Sequence, residues 1–172
     1  MKPTLFTFIF CLFTFFTHAQ LTAIDHYSRG ETKQANAEYD SAIIYFSMAI
    51  KENMGIHQGE AYYQRGKCYY ETSKYDEAMS DFNTDIRMNS DSASGSYCYR
   101  GLTKIKTQDY EGAMDDFNTA IKIFPKFSLA YKYRGDLSKI TGHLDDACAD
   151  WKTARDYGNN MAGDMIRQYC NP

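Results

Sequence analysis

Apolar and polar residues alternate along this chain with helical spacing, and the same arrangement returns about every 34 residues. In the third copy, apolar side chains recur three or four positions apart over Tyr110, Ala113, Met114, Phe117 and Ile121. This spacing is that of one face of an α-helix. Each copy predicts a helix of about 14 residues, a short break and a second helix of similar length. Acidic residues open each second helix, where they suit the positive end of the helix dipole.

A second regularity is an Arg-Gly pair in each copy, followed twelve residues after the Gly by Ala and four residues later by a large aromatic residue. Glycine inside a helix costs about 1 kcal/mol relative to alanine, so its recurrence needs a physical reason. We expect the two helices to approach closely at the glycine, with the aromatic ring filling the wedge where they diverge. The four sets are Arg29-Gly30/Ala42/Phe46, Arg65-Gly66/Ala78/Phe82, Arg100-Gly101/Ala113/Phe117 and Arg134-Gly135/Ala147/Trp151.

These residues resemble the tetratricopeptide repeat family, whose units of 34 residues carry Gly, Ala and Phe in this order. The resemblance covers residues 23 to about 161, and the C-terminal stretch is similar to that of small exported bacterial repeat proteins. It implies an all-α fold, a right-handed superhelix of stacked helix-turn-helix repeats, in a single domain over 20–172. The expected repeats are 23–56, 59–92, 94–127 and 128–161, with a capping helix at 161–170. The first copy matches the pattern least completely.

The N-terminus has the pattern of a secretory signal peptide over residues 1–19. Lys2 precedes an apolar run of twelve residues, and small residues stand before a cut after Ala19. That run is too short to cross a bilayer, which takes about 20 residues. A lipid anchor on Cys11 lacks the small residue such a site needs, and an uncleaved anchor is a further alternative. We expect a periplasmic or secreted mature chain without stable membrane insertion.

The charge of the mature chain excludes several function classes. Without Lys2, 18 basic and 22 acidic side chains remain, a formal net charge of −4. This disfavours nucleic acid, which demands a basic face, and it also disfavours anionic membranes. Five aspartates at helical positions are expected on solvated faces, namely Asp85, Asp115, Asp116, Asp145 and Asp146.

No catalytic, cofactor or metal site is predicted. His26, His57 and His143 lie about one repeat or more apart, whereas a metal site needs three or four converging ligands. Cys148 lies near Asp150, but no histidine accompanies them as a base. The sequence therefore favours a protein that is not an enzyme and needs no cofactor.

Four cysteines remain after cleavage, an even number in an exported chain. We expect a disulfide between Cys148 and Cys170, since each lies on one of the last two helices, which must pack together. Cys68 and Cys98 fall on first helices of neighbouring repeats. They could pair or remain as buried free thiols.

The arginine of each Arg-Gly pair admits two interpretations. The four side chains could form a ladder for anions. We favour the alternative that their stems pack beside glycine while their heads reach carboxylates or backbone carbonyls.

The family resemblance implies a ligand groove lined by the first helices. Its expected partner is a protein or peptide, since exposed tyrosines among scattered charges suit such a ligand. The basic clamp that some relatives use for acidic C-terminal peptides is not met, because Tyr27 and Glu31 hold its first two places. Alternatives are that the tyrosines pack between repeats, that the chain forms homo-oligomers, or that it serves as an accessory domain of an envelope enzyme. The candidate groove residues are Tyr27, Glu31, Tyr63, Lys67, Tyr70, Leu102, Ile105, Lys132, Asp136 and Lys139.

Overall fold

A computed structural model describes residues 21–170, and within that range it contains helices and turns but no strand. The predicted signal peptide and the Cys11 alternative lie outside the described residues. Helix α1 covers residues 21–35. It is followed by α2 (Tyr39–Glu52), a 3-10 turn (Gly55–His57), α3 (Gln58–Glu71), α4 (Tyr75–Met88), α5 (Ser94–Lys106), α6 (Tyr110–Ile123), α7 (Ser128–Ile140), α8 (Leu144–Asp156) and α9 (Asn160–Tyr169). The predicted helix-turn-helix repeats and short C-terminal helix are confirmed.

The chain divides into two compact units, the first ending at Asp81 and the second beginning at Phe82, within α4. In the first unit α2 packs against α3. In the second unit α5 packs against α6, α6 against α7, α7 against α8 and α8 against α9. Each unit has its own apolar core, which includes Ala42, Phe46 and Cys68 in the first and Ala147, Trp151, Ala154 and Ile166 in the second.

The close approach expected at the Arg-Gly pairs is confirmed at Gly30, Gly101 and Gly135. The aromatic ring of the second helix lies directly on the glycine of the first. A Cβ atom would lie 2.7 Å from the Phe46 ring at Gly30, 2.9 Å from Phe117 at Gly101 and 2.8 Å from Trp151 at Gly135. No side chain larger than hydrogen fits there without moving a fully buried ring. Glycine at these positions lowers helix propensity, but it allows the aromatic ring to pack directly against the backbone of the first helix.

The turn inside each repeat has one backbone geometry. Seven residues after the glycine of each Arg-Gly pair, one residue adopts the left-handed backbone conformation. Its φ angle is 58° at Ala37, 59° at Ser73, 65° at Gln108 and 87° at Gly142. The amide of the next residue then donates to a carbonyl near the end of the first helix, as Asp109 does to Lys104 at 2.9 Å. This is the hydrogen bond of a Schellman motif, which reverses the chain within three residues.

The C-terminal end of the second unit is closed by α9. The side chain of Asn159 accepts a hydrogen bond from the amide of Ala162 at 3.1 Å and caps the helix. The Tyr169 ring packs on Trp151, with ring centroids 5.9 Å apart. The sulfur atoms of Cys148 and Cys170 are bonded at 2.03 Å, which ties α8 to the end of α9. Cys68 and Cys98 are both buried free thiols.

Candidate functional site

Three of the four Arg-Gly arginines form a two-pronged pair with an aspartate sixteen residues later, an arrangement called here the Arg–Asp clasp. The Nε and Nη2 atoms of Arg65 donate to Asp81, both at 2.8 Å. Arg100 donates to Asp116 at 2.9 and 2.5 Å, and Arg134 donates to Asp150 at 2.8 and 2.7 Å. Each clasp joins the two helices of one repeat. The interpretation that the arginine heads reach carboxylates is confirmed for these three.

Each clasped arginine also contacts the preceding second helix. Its Nη1 atom donates to the side chain one residue after that helix's aromatic, which is Ser47 at 2.9 Å, Asn83 at 2.7 Å and Asn118 at 2.7 Å. Below the guanidinium lies a tyrosine of its own helix, at 5.4 Å for Tyr62, 5.1 Å for Tyr97 and 5.4 Å for Tyr131. Three of the five guanidinium N–H donors are committed to these partners, which favours a role in packing over anion binding.

The first repeat lacks the clasp because Tyr45 stands where the later repeats have aspartate. Arg29 instead pairs with Asp25 on its own helix at 2.9 Å. Its side chain is 58% exposed, against 18% for Arg65. The register of the arginine is therefore shared by all four repeats, but its structural role is not.

Burial separates the aspartates that the sequence predicts to be solvated. Asp115, Asp145 and Asp146 are exposed, as expected. For Asp85 and Asp116 the prediction is wrong, since both are buried. Asp116 belongs to a clasp, and Asp85 accepts hydrogen bonds from Ser96 at 2.5 Å and Asn89 at 2.6 Å.

In the first unit, the predicted groove residues lie on α1 and α3. Together with Glu60 of α3 they form what we call the tyrosine surface: Tyr27, Glu31, Glu60, Tyr63, Lys67 and Tyr70. The hydroxyl of Tyr27 donates to Glu60 at 3.5 Å, which links the two helices. The Lys67 ammonium lies 5.2 Å from the centre of the Tyr63 ring. Glu31 and Glu60 are exposed, whereas the tyrosines and Lys67 are partly buried.

The ionisation of Tyr27 is strongly suppressed. Burial raises the pKa of its phenol, and the carboxylates of Glu60 and Glu31 raise it further. The hydroxyl therefore remains a hydrogen-bond donor throughout the physiological range. It keeps an apolar ring and a polar tip on one surface, the combination that makes tyrosine common at interfaces.

In the second unit, the predicted groove residues lie on α5 and α7 and are more engaged with the core. The prediction that Leu102 lies on an open groove surface is wrong, since its side chain is only 9% exposed and belongs to the core. Asp136 accepts a hydrogen bond from the Trp151 indole at 3.0 Å and pairs with Lys132 at 2.7 Å. The Lys139 ammonium lies 3.7 Å from the centre of the Tyr169 ring. Ile105 is partly buried.

The part of the chain from residue 21 to 170 contains no group of three or more His, Cys, Asp or Glu side chains placed to hold a metal ion. In the same range, no helix is both long enough and apolar enough to cross a membrane. His26 is bonded to Glu52 at 2.8 Å, and His143 contacts Thr141 at 3.1 Å. Neither of these contacts joins a histidine to a cysteine or a serine.

Two segments of the chain, residues 59–91 and 94–127, match the family model described as tetratricopeptide repeat. No curated protein matches the chain. Together with the solved structures below, these matches support a tetratricopeptide repeat protein. They cover the second and third repeats and leave the type of such protein open.

Solved tetratricopeptide structures share this fold at low sequence identity. TTC0263, a thermophilic TPR protein from Thermus thermophilus, is 20% identical, with a TM-score of 0.71 over 80% of this chain and 75% of its own. YrrB, described as a TPR protein with an unusual peptide-binding site, is 16% identical, with a TM-score of 0.68 over 85% and 74%. The first TPR of Spaghetti (RPAP3), bound to the HSP90 peptide SRMEEVD, is 20% identical, with a TM-score of 0.65 over 71% and 94%. At these identities the likeness shows the fold.

Proposed function

We propose that this tetratricopeptide repeat protein is a non-enzymatic adaptor that binds an extended segment of another protein at its tyrosine surface. The observation that carries the proposal is the pair of neighbouring helices, α1 and α3, that present tyrosines at partial exposure beside charged side chains. Aromatic rings of this kind supply contact area at low entropic cost, and nearby charges fix the register of a ligand.

The likeness to peptide-binding repeat structures supports the proposal. YrrB is described by its peptide-binding site, and the RPAP3 domain carries a bound peptide. An adaptor needs a preformed surface rather than reactive groups, which fits the surface described here. We further propose that the adaptor works in the periplasm or cell envelope, because residues 1–19 have the pattern of a secretory signal.

The charges of the tyrosine surface favour a particular kind of segment. Glu31 and Glu60 are exposed there, and Lys67 is the cation of the set. Lys67 is itself engaged with Tyr63 and with the Gln64 side chain, to which it donates at 3.1 Å. The excess of carboxylates favours a segment with basic residues and disfavours an acidic C-terminal peptide.

Site-specific photocrosslinking in the native cell tests this function. The photoreactive residue p-benzoylphenylalanine replaces Tyr63 or Tyr70 in separate variants, which keeps an aromatic ring at each position. We expect ultraviolet light to join each variant to the same partner, identified by mass spectrometry. Exposed Glu77 on α4, in the same unit, carries the same photoreactive residue as the matched control.

A Tyr63→Ala/Tyr70→Ala variant then competes against the crosslinking protein. We expect it to lose capture while its helix content, measured by circular dichroism, stays unchanged. Equal crosslinking from Glu77 and Tyr63, or undiminished competition by the double alanine variant, contradicts the proposed surface.

A second candidate function, self-association, is favoured by an apolar face on α2. Ile44 is 56% exposed and Met48 is 41% exposed, and they line a shallow cleft of about 340 Å³ with Tyr45, Ser41 and Lys33. Light scattering over a range of protein concentrations separates this candidate from the first. A monomeric mass at every concentration rejects self-association. A dimer that dissociates in the Ile44→Lys variant supports self-association.

A further inference from the structure

A cleft of about 340 Å³ opens in the second unit where α6, α7 and α8 meet, and we call it the Ser138 cleft. Met114 and Ala149 give the cleft apolar surface, and its polar walls are Asn118, Arg134, Ser138, Asp146 and Asp150. This volume lies at the lower end of the range of small-ligand pockets, about 300–1,000 Å³. The question is which chemical group the cleft accepts.

In the third repeat, the position equivalent to the Ser138 cleft is occupied by the side chain of Lys104. Lys104 is three residues after Gly101, as Ser138 is three residues after Gly135. The Nζ atom of Lys104 lies 3.0 Å from Asp116 Oδ2 and donates to the carbonyl oxygen of Gly112 at 3.2 Å. In the fourth repeat the serine side chain is too short to make either contact.

The acceptors of that missing ammonium are nevertheless present in the fourth repeat. Asp150 takes the place of Asp116, and Asp146 takes the place of Gly112. The carboxylate of Asp116 receives three donors, two from Arg100 and one from Lys104. Asp150 receives two donors, both from Arg134. A carboxylate has lone pairs for about four hydrogen bonds, so capacity remains.

The charges that line the cleft also favour a cationic ligand. At the same positions the third repeat combines two cations, Arg100 and Lys104, with Asp115 and Asp116, a net charge of zero. The Ser138 cleft combines one cation, Arg134, with Asp146 and Asp150, a net charge of −1. The hydrogen bond from Arg134 to Asp150 raises the pKa of Arg134, and the carboxylate of Asp146, which lines the same cleft, raises it further. One added ammonium would make the cleft neutral.

From this internal comparison we propose that the Ser138 cleft binds a primary ammonium group, supplied by a lysine side chain of a partner protein. The ammonium takes the position that Lys104 Nζ holds one repeat earlier, between Asp150 and the Asp146 segment. The methylenes of the lysine lie along Met114 and Ala149. The site uses none of the residues of the tyrosine surface, so either proposal can fail while the other stands.

Nuclear magnetic resonance of the ¹⁵N-labelled mature chain, in phosphate buffer free of amines, tests the site. The probes are n-butylammonium, which has the lysine side chain's shape and donors, and tetramethylammonium, which has the charge without N–H donors. We expect saturable shifts of the amides of residues 146–150 with n-butylammonium and none with tetramethylammonium. The absence of saturable shifts with n-butylammonium, or equal shifts with both probes, overturns the proposal.

Two reciprocal variants sharpen the result. Ser138→Lys supplies an internal ammonium and should weaken n-butylammonium binding by at least about tenfold, equivalent to about 1.4 kcal/mol. Lys104→Ser should create a second site, seen as new saturable shifts at residues 112–116. Unchanged binding by Ser138→Lys contradicts the assignment. If that variant does not fold, Asp146→Asn replaces it, and it should weaken binding severalfold.

The source of the ammonium is decided by a third probe, Nα-acetyl-lysine methylamide. Binding at least as tight as that of n-butylammonium supports a protein lysine. Binding of the free amine alone overturns the partner assignment and leaves a site for small amines.

Discussion

The first repeat and the three later repeats share a glycine and an aromatic ring but differ in what their arginine does. In the later repeats the arginine is mostly buried and clasped to an aspartate, and it reaches the preceding second helix as well. In the first repeat Arg29 is exposed and paired along its own helix. The contact at glycine therefore holds the two helices of a repeat together, whereas the clasp adds ion pairs between those helices and a hydrogen bond to the preceding helix.

The strongest test of this difference is the same substitution in two repeats of the first unit. We expect Arg65→Met to lower the free energy of unfolding by roughly 3–5 kcal/mol, because it strands the buried carboxylate of Asp81. Arg29→Met, the matched control, should cost at most about 1 kcal/mol, the value of an exposed ion pair. Urea unfolding followed by circular dichroism measures both. Equal costs would show that the clasp contributes nothing special.

The C-terminal end differs from the first repeat by its covalent tie. The Cys148–Cys170 bond closes a loop with a sequence separation of 22. We expect Cys148→Ser/Cys170→Ser to destabilise the oxidised protein by about 3 kcal/mol in the chain-entropy model. Dithiothreitol should then lower the melting temperature of the wild type and leave the double variant unchanged. Mass mapping that finds both thiols free in protein isolated from its own cell contradicts the bond.

The glycine step should behave alike on both sides of the comparison. A methyl group at Gly30 or Gly101 collides with a buried ring. We therefore expect each alanine variant to lower the free energy of unfolding by about 1–2 kcal/mol, even after the gain in helix propensity is included. Gly163→Ala on α9 is the control, because its methyl group meets only Arg167 at 3.6 Å. It should stabilise the protein by up to about 1 kcal/mol. Thermal melts of the three variants give the sign directly.

The smallest expected effect concerns the buried thiols, a feature that both units share. Burial raises the pKa of Cys68 to about 11 and that of Cys98 further in the same direction. Because the folded pKa lies above the unfolded value, the associated stability is full below about pH 8.5–9 and is lost as pH rises toward 11. By about pH 10 we expect Cys68 alone to cost about 1 kcal/mol. Urea unfolding of wild type and Cys68→Ala between about pH 8 and 10 should diverge, and parallel curves contradict this.

Much of the fold could be predicted from the sequence because the relevant signals are periodic. The Arg-Gly, Ala and aromatic registers located the helix pairs and the rings that pack on glycine. The sequence analysis did not identify the aspartate partners of the three clasped arginines. Yet Asp81, Asp116 and Asp150 each lie sixteen residues after their arginine. That fixed spacing is visible in the sequence and could have identified the clasp.

The rest depended on directions that one sequence does not contain. Asp115 and Asp116 are adjacent, yet only the second faces inward, because successive residues on a helix point about 100° apart. Asp85 is buried by Ser96 and Asn89, which lie beyond its own helix. Leu102 was expected on a groove because a family position was carried over without regard to its neighbours. The Ser138 cleft lies where three helices, α6, α7 and α8, meet, and the sequence alone does not show which side chains line it.

The tyrosine surface takes two of its members from α1, in the repeat that lacks a clasp. Ligand-binding segments are commonly drawn from the less stable parts of a fold, since binding can order them. We expect a partner bound at the tyrosine surface to raise the hydrogen-exchange protection of α1.

Amide hydrogen exchange of the mature protein under native conditions tests the central difference most directly. The account predicts that amides of α1 and α2 exchange through openings of lower free energy than those of α7 and α8, which carry a clasp and the disulfide. Protection of α1 and α2 equal to or greater than that of α7 and α8 would contradict it.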